Sequence, residues 1–453
     1  MKKLLTVCCF LWLSLVSAAQ SIQTDPKFSP ESLRQDLDFL RTNLLSAHAD
    51  PYSEITKEQY KALFKKMENG IRDSLTAIQF FQLVKPAIAN LSDEHAGISL
   101  PKDLSDYHNQ PVFLPFSLKK SGDHYIIDTI LSSESGLNRG DIVKQVNGVG
   151  INELIESCAN YAAGFPDQRK GKALYQFGYL YTIGHNLSKE ATVQTVSGRK
   201  QVKGVPFSSW NNYLVKLSGG NQNCQQLLSY RKIGETGYID ACSFGARGDS
   251  AFKAYERTAD SLFTLAKRDQ VKQVIIDISK NSGGNSALGN FLIKQFYTGD
   301  YLNYQMNWRR SDEYLEQIKS WGLKDPAYEK MQPGEVMHHG PDTPYMKGVA
   351  DPYKGKVYIL IGNGTFSSAI MFATIIKDNK MATLIGEVPK DGHPTHFGEL
   401  YGTVLPNTKL ALRFGVKEWI RPLGKDVGNT LDPDIIIPVD GGPEEVVKRL
   451  NSK

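Results

Sequence analysis

Between residues 29 and 90, apolar side chains recur every three to four positions. Leu33, Leu37, Leu40 and Leu44/Leu45 follow Ser29-Pro30-Glu31, a capping serine with proline at the first helical position. Thr56-Lys57-Glu58 opens a second such stretch carrying Tyr60, Leu63 and Phe64. Residues 76–91 make a third, with Phe80, Leu83, Ile88 and Leu91 on one side. The spacing predicts a small helical module ending at Ser92-Asp93-Glu94-His95-Ala96-Gly97. From Pro111 to about Phe207 the period shortens to that of strands, as in Pro115-Phe116-Ser117-Leu118 and Tyr125-Ile126-Ile127. There, Ser135 to Gly148 sets the apolar strand Ile142-Val143 to Val146 between a Gly140-Asp141 turn and an Asn147-Gly148 turn. From Gly237 onward, continuous apolar runs at 237–239, 274–278, 357–361 and 383–386 alternate with helical patterns at 250–267, 286–296 and 367–378. That alternation predicts an α/β fold with a mainly parallel sheet.

A chain of 453 residues exceeds one ordinary core, and the pattern divides it into 1–19, 20–110, 111–207 and 208–453. The first of these reads as an export leader. Lys2 and Lys3 precede the apolar stretch Leu4 to Val16, too short to span a bilayer, and Ser17-Ala18-Ala19 supplies small residues for cleavage before Gln20. The expected product is a periplasmic or secreted protein with no stable membrane insertion after cleavage. The 53 basic and 48 acidic residues leave a net charge of +5, and no basic run interleaves with aromatics. Nucleic acid is therefore not an expected partner. Cleavage leaves Cys158, Cys224 and Cys242. In an oxidising compartment Cys224–Cys242 is a possible disulfide, and three buried free thiols are the alternative. No histidine or cysteine spacing signals a metal site, and no cofactor is expected.

Three segments carry candidate chemistry. Gly362-Asn363-Gly364-Thr365-Phe366-Ser367-Ser368-Ala369 follows an apolar strand and opens a helix, where amides point outward and favour negative charge. A serine there is more often only a cap. Asp277-Ile278-Ser279-Lys280-Asn281-Ser282-Gly283-Gly284-Asn285 also joins strand to helix, and its paired glycines leave backbone N–H groups unshielded. His95 is one of nine histidines and has the pKa that a serine base needs.

Together these segments resemble the signature blocks of the tail-specific (C-terminal processing) serine peptidases, a family that includes the tricorn-type enzymes. Asp277 to Gly284 matches the family's Asp-Leu-Arg-x-Asn-x-Gly-Gly turn, with Ser279 where arginine is usual. Gly362 to Ala369 matches its nucleophile block. Gly386-Glu387 and Leu431-Asp432-Pro433-Asp434-Ile435 match later blocks. The run from Ser135 to Gly148 resembles a PDZ domain, an ordinary hairpin being the alternative. The resemblance implies a ClpP/crotonase-like core, a PDZ-like domain over 111–207, and peptides or unfolded proteins as substrate. It implies Ser367 as nucleophile, with Gly283, Gly284 and Ser368 forming the oxyanion hole. Many members use a lysine 25 positions after the nucleophile, but that position is Gly392, and Lys390 is displaced by two. The family's glutamate after the nucleophile is Ile370. The Ser–His branch takes its base from an Asp-x-His block, which Asp93-Glu94-His95 fits, so His95 is the expected base and His396 the runner-up. The orienting carboxylate expected late in the domain is Asp426, unless it is only a turn residue beside Gly428. A non-catalytic binder of peptides or apolar ligands is the alternative function, favoured by the departures at 279, 370 and 392.

Overall fold

The computed structural model describes residues 26–101, 110–185, 188–217, 224–341 and 348–453; the expected leader lies outside them. The three N-terminal helices form where the periodicity places them, at Pro30–Ala47, Lys57–Gly70 and Ala77–Ala89. Each begins on a capping side chain. Ser29 accepts from the Ser32 N–H, and Thr56 and Thr76 each form a reciprocal box with a glutamine three residues on.

The middle segment differs from the expected run of strands. Its hairpins are present, and Asn147 and Gly148 both have positive φ in the tight turn between Val143–Val146 and Val149–Gly150. Three helices, Ile151–Ala159, Pro166–Tyr175 and Phe177–Gly184, follow that turn. Ile151, Leu154, Ile155 and Cys158 are the buried face of the first. Their 3–4 spacing is helical, and the turn signals on either side masked it.

The C-terminal half contains two sheets. The first has six strands in the order Ser229–Ile233, Thr236–Asp240, Gln273–Asp277, Lys356–Ile361, Thr383–Gly386 and Ile435–Ile436. Only the first pair is antiparallel. Its central strands are apolar on both faces because helices Asp249–Arg268, Ala287–Ile293 and Ser368–Asp378 cover one face and helix Gly442–Asn451 covers the other; Val274, Ile276, Ile359 and Ile361 are fully buried on the first side and Ile275 on the second. The second sheet was not anticipated. Val336–His339, Gln305–Arg309, Ala411–Ile420 and His396–Val404 form an antiparallel order, and Gly97–Ser99 pairs with the start of Ala411–Ile420. Cys224 and Cys242 form a disulfide, and Cys158 is a buried free thiol. Among the described residues no helix is long and apolar enough to cross a membrane.

The helical module shares one continuous apolar core with the antiparallel sheet and the middle segment. Polar anchors fix its position. The buried Asp36 carboxylate accepts from the Asn407 and Thr408 N–H groups, the Asn407 amide and the Thr408 hydroxyl. Tyr401 donates to Asn43 Oδ1 at 2.7 Å. Asp36→Ala leaves those donors without an acceptor and is expected to lower stability by about 2–4 kcal/mol. Urea titration with far-UV circular dichroism measures the loss.

Candidate active site

Two strand-to-helix loops meet at the carboxyl end of the parallel sheet. The loop after Gln273–Asp277 and the loop after Lys356–Ile361 are stitched together by backbone bonds. Gly364 N–H donates to Ser279 O at 2.9 Å and Phe366 N–H to Asn281 O at 3.0 Å. The Thr365 hydroxyl donates to Ile278 O, and Asn281 Nδ2 donates to Ala241 O. Stitching this tight leaves little backbone freedom at the head of Ser368–Asp378. Ser367 caps that helix at φ 52°, ψ −124°, a conformation that costs an L-residue about 1–3 kcal/mol.

The paired glycines explain how the loops come so close. A Cβ on Gly284 would lie 2.0 Å from Phe244 O, and one on Gly283 would lie 2.8 Å from Ser367 Cβ and 2.9 Å from Ser368 N. Gly283 was expected to donate to an oxyanion, and its N–H is instead spent on Asn281 Oδ1 at 2.9 Å. Its role is to let Ser367 approach. Among the described residues, the N–H groups of Gly284 and Ser368 have no protein acceptor, and both residues line the cavity that Ser367 faces.

That cavity has a volume of about 860 Å³. His95 and His396 line it with Ser367, and Phe244, Phe252, Met371, Leu323 and Trp419 supply apolar wall. His95 packs against Phe366, the neighbour of Ser367, with ring centres 4.8 Å apart and planes tilted by 34°, and lies 6.0 Å from the His396 ring. No hydrogen bond joins the Ser367 hydroxyl to either ring among the described residues. Burial pushes the His95 pKa below the ordinary histidine value; Asp93 and the Phe397 carbonyl oppose it, while Arg413 and Lys172 add to it. His396 is pushed down to about 4, by burial first and by neighbouring His95 second. Both rings are thus neutral near pH 7. His396 Nδ1 sits 3.0 Å from His393 O, which requires the proton on Nδ1.

Asp426 is not brought to the cavity. It is exposed in the short turn Lys425–Val427, which lies wholly at the surface, with Lys425 reaching back from it to pair with the buried Glu418. Lys390 is likewise exposed, with its ammonium over the Tyr175 ring. His393 pairs with Asp167 at 3.2 Å, so His393 and His396 have separate partners. The carboxylate nearest His95 is Asp93, whose Oδ1 accepts the His95 N–H at 2.7 Å and lies 3.8 Å from His95 Nδ1. Its Oδ2 accepts the Gly415 N–H at 2.7 Å and lies 3.5 Å from His48 Nε2. Burial pushes the Asp93 carboxyl up, but His48, His95 and the Gly415 N–H outweigh it and hold the group at about 2. Sequence reasoning gave neither Asp93 nor His48 a role. Asp93 stood in the quoted Asp-x-His block, but His48 lies 45 positions before it with no local signal.

A strained serine at a helix mouth, beside unspent N–H groups and neutral imidazoles, is the layout of a serine-type hydrolase. Residues 235–437 match the model of peptidase family S41. The fold is similar to that of mature CPAF, at 15% identity and a TM-score of 0.57 over 90% of this chain and 93% of that one. Mature CPAF complexed with lactacystin gives 15% identity and the same TM-score over 94% and 99%. The photosystem II D1 C-terminal processing protease gives 12% and 0.40 over 92% and 95%. No curated protein sequence matches the chain. The chain carries a peptidase family S41 domain and is a serine-type peptidase.

Gly283→Ala tests the close approach of the two loops. It forces a side chain into a left-handed backbone at φ 96° and against Ser367. The expected result is a loss of about 1–3 kcal/mol in stability, with peptide hydrolysis reduced far more than that loss explains, measured by thermal melting and by turnover of a fluorogenic peptide.

Proposed function

We propose that the chain is an exported endopeptidase that cleaves peptides or unfolded proteins by a Ser–His mechanism, with Ser367 as nucleophile and His95 as base. The observation that carries this reading is a single cavity holding Ser367 in a left-handed backbone, the neutral His95 ring and the unspent N–H groups of Gly284 and Ser368. Ser367 Oγ attacks the scissile carbonyl carbon, and its proton passes to His95 as the O–C bond forms. The carbonyl oxygen becomes an oxyanion facing the two amides. When the C–N bond breaks, His95 returns the proton to the departing amine. Water then repeats the sequence on the acyl-serine.

Export is supported by the leader pattern at 1–19 and by the Cys224–Cys242 disulfide, which suits an oxidising compartment. The core is read as ClpP/crotonase-like, and the segment 111–207 as a PDZ-like domain that delivers an extended substrate. Gln168 and Tyr175 of that segment bond Asp391, five residues before His396, which supports a link between substrate delivery and the cavity.

A fluorophosphonate probe is expected to label Ser367 stoichiometrically. Ser367→Ala should abolish labelling, and His95→Ala should slow it by on the order of 100-fold or more. Because only the neutral imidazole accepts a proton and burial lowers its pKa, the acid limb of kcat/KM should lie below the ordinary histidine value of about 6.5. Full labelling and turnover in His95→Ala would assign the base to another group, and absence of labelling in folded wild-type protein would leave the chain's serine uninvolved.

A further inference from the structure

We propose that Asp93, braced by His48, is the positioning carboxylate for His95, in the place where Asp426 was expected. The inference rests on the Ser367–His95 reading. Both side chains are fully buried, and they come from different parts of the N-terminal module, His48 from the end of Pro30–Ala47 and Asp93 from the loop after Ala77–Ala89. The Asp50 N–H donates to His48 Nδ1 at 3.2 Å, so Nδ1 is the acceptor and the ring proton sits on Nε2. That Nε2–H faces Asp93 Oδ2 at 3.5 Å, while Gly415 donates to the same oxygen. The Gly415 N–H therefore fixes the carboxylate by a hydrogen bond, and the His48 ring, close by but without a hydrogen-bond partner for Nε2 among the described residues, adds to what keeps it ionised.

The other oxygen faces the proposed base. Oδ1 holds the His95 backbone N–H and stands 3.8 Å from Nδ1, a buried ring nitrogen that has no hydrogen-bond partner of its own. A small rotation of the ring brings Nδ1–H onto Oδ1. This fixes the tautomer with the proton on Nδ1 and leaves Nε2 free to take the serine proton. When Nε2 takes it, the positive ring faces a carboxylate that keeps its charge; no proton moves to Asp93. The remaining charged or titratable neighbours of His95 are Glu94 on its own loop, His396, Arg413 on Ala411–Ile420, and Lys172 on Pro166–Tyr175. Arg413, Lys172 and a protonated His396 disfavour a positive ring. Glu94 has its pKa raised well above the usual carboxylate value by burial and by Asp93, so Asp93 is the neighbouring carboxylate held ionised.

The test compares Asp93→Asn, His48→Leu, His48→Gln and His95→Ala in the full chain, using a fluorogenic peptide over a pH series and fluorophosphonate labelling of Ser367. Asp93→Asn is expected to lower kcat by on the order of 100-fold or more with KM nearly unchanged. Its acid limb should move to lower pH, because removing a negative neighbour makes His95 a weaker base. His48→Leu should show the same direction with a smaller drop, and His48→Gln, which keeps an N–H donor, should recover part of it. A loss carried by KM, or a kcat loss with the acid limb unmoved, would make Asp93 a structural clamp and overturn the proposal. If Asp93→Asn does not fold, the acid limb of His48→Leu decides by the same criterion. An inactive His95→Ala beside a wild-type Asp93→Asn sinks this inference alone, whereas wild-type activity in both variants sinks the Ser–His reading beneath it.

Discussion

One buried side chain, Asn281, holds the catalytic end of the parallel sheet together. Its Nδ2 bonds Ala241 just beyond one strand, its Oδ1 holds the Gly283 N–H, and its carbonyl holds the Phe366 N–H. Three chain segments far apart in sequence thus converge on one residue that is 1% exposed. Every polar group of Asn281 is used, so moving any of the three segments strands a buried donor or acceptor. The left-handed backbone at Ser367 follows from this constraint. Phe366 is bonded on one side to Asn281 and on the other to the first turn of the helix, and Gly283 fills the space in which Ser367 would otherwise relax. Strain of this kind persists only where the surroundings over-determine the conformation.

The second constraint brings the front of the chain to the back. Gly97–Ser99 adds a short strand to Ala411–Ile420, and Asp93 caps the Gly415 N–H on that same strand. His95 lies between these two attachments, so a sheet edge fixes its backbone. The apolar core shared by the helical module and this sheet gives the attachment its rigidity. An imidazole on an isolated helical module would sample many positions, whereas one pinned within a strand-pairing site samples few, and such positioning accounts for much of what a catalytic base needs.

The parallel sheet was legible because its strands are buried on both faces and read as unbroken apolar runs such as Val357 to Ile361. The helix starts were legible because Ser29, Thr56 and Thr76 carry capping chemistry in local sequence. The antiparallel sheet was not. Its strands, such as His396–Val404, alternate buried and exposed residues irregularly and include Gly398 and Gly402; that strand and Ala411–Ile420 form a hairpin, but Gly97–Ser99 and Gln305–Arg309 join Ala411–Ile420 across sequence distances that no local pattern encodes. The same limit applied to the site. Ser367 and the paired glycines sit in local strand–turn–helix motifs, and His95 sits in a short block. The partnership of His48 and Asp93 depends on tertiary packing alone. Asp426 misled because spacing along a chain does not reveal whether a turn packs against the site; this one lies wholly at the surface.

Two of the three departures from the family pattern, at 370 and 392, touch each other. Position 392, where many relatives place a lysine, is a glycine whose Cβ would lie 2.5 Å from the Ile370 side chain and 2.9 Å from Thr365 O. Ile370, where those relatives carry a glutamate, is fully buried in the core of the parallel sheet. A lysine at 392 has no room beside Ile370, and its ammonium would find the apolar Ile370 side chain there. Gly392 and Ile370 therefore fit each other in one packed space. This fit closes the ground on which a Ser–Lys dyad would stand and packs it with hydrocarbon, directly behind the helix that Ser367 begins. Neither Ile370 nor Gly392 lines the cavity, whereas His95 and His396 do. With that ground filled, the titratable bases that line the cavity with Ser367 are His95, His396 and Glu399.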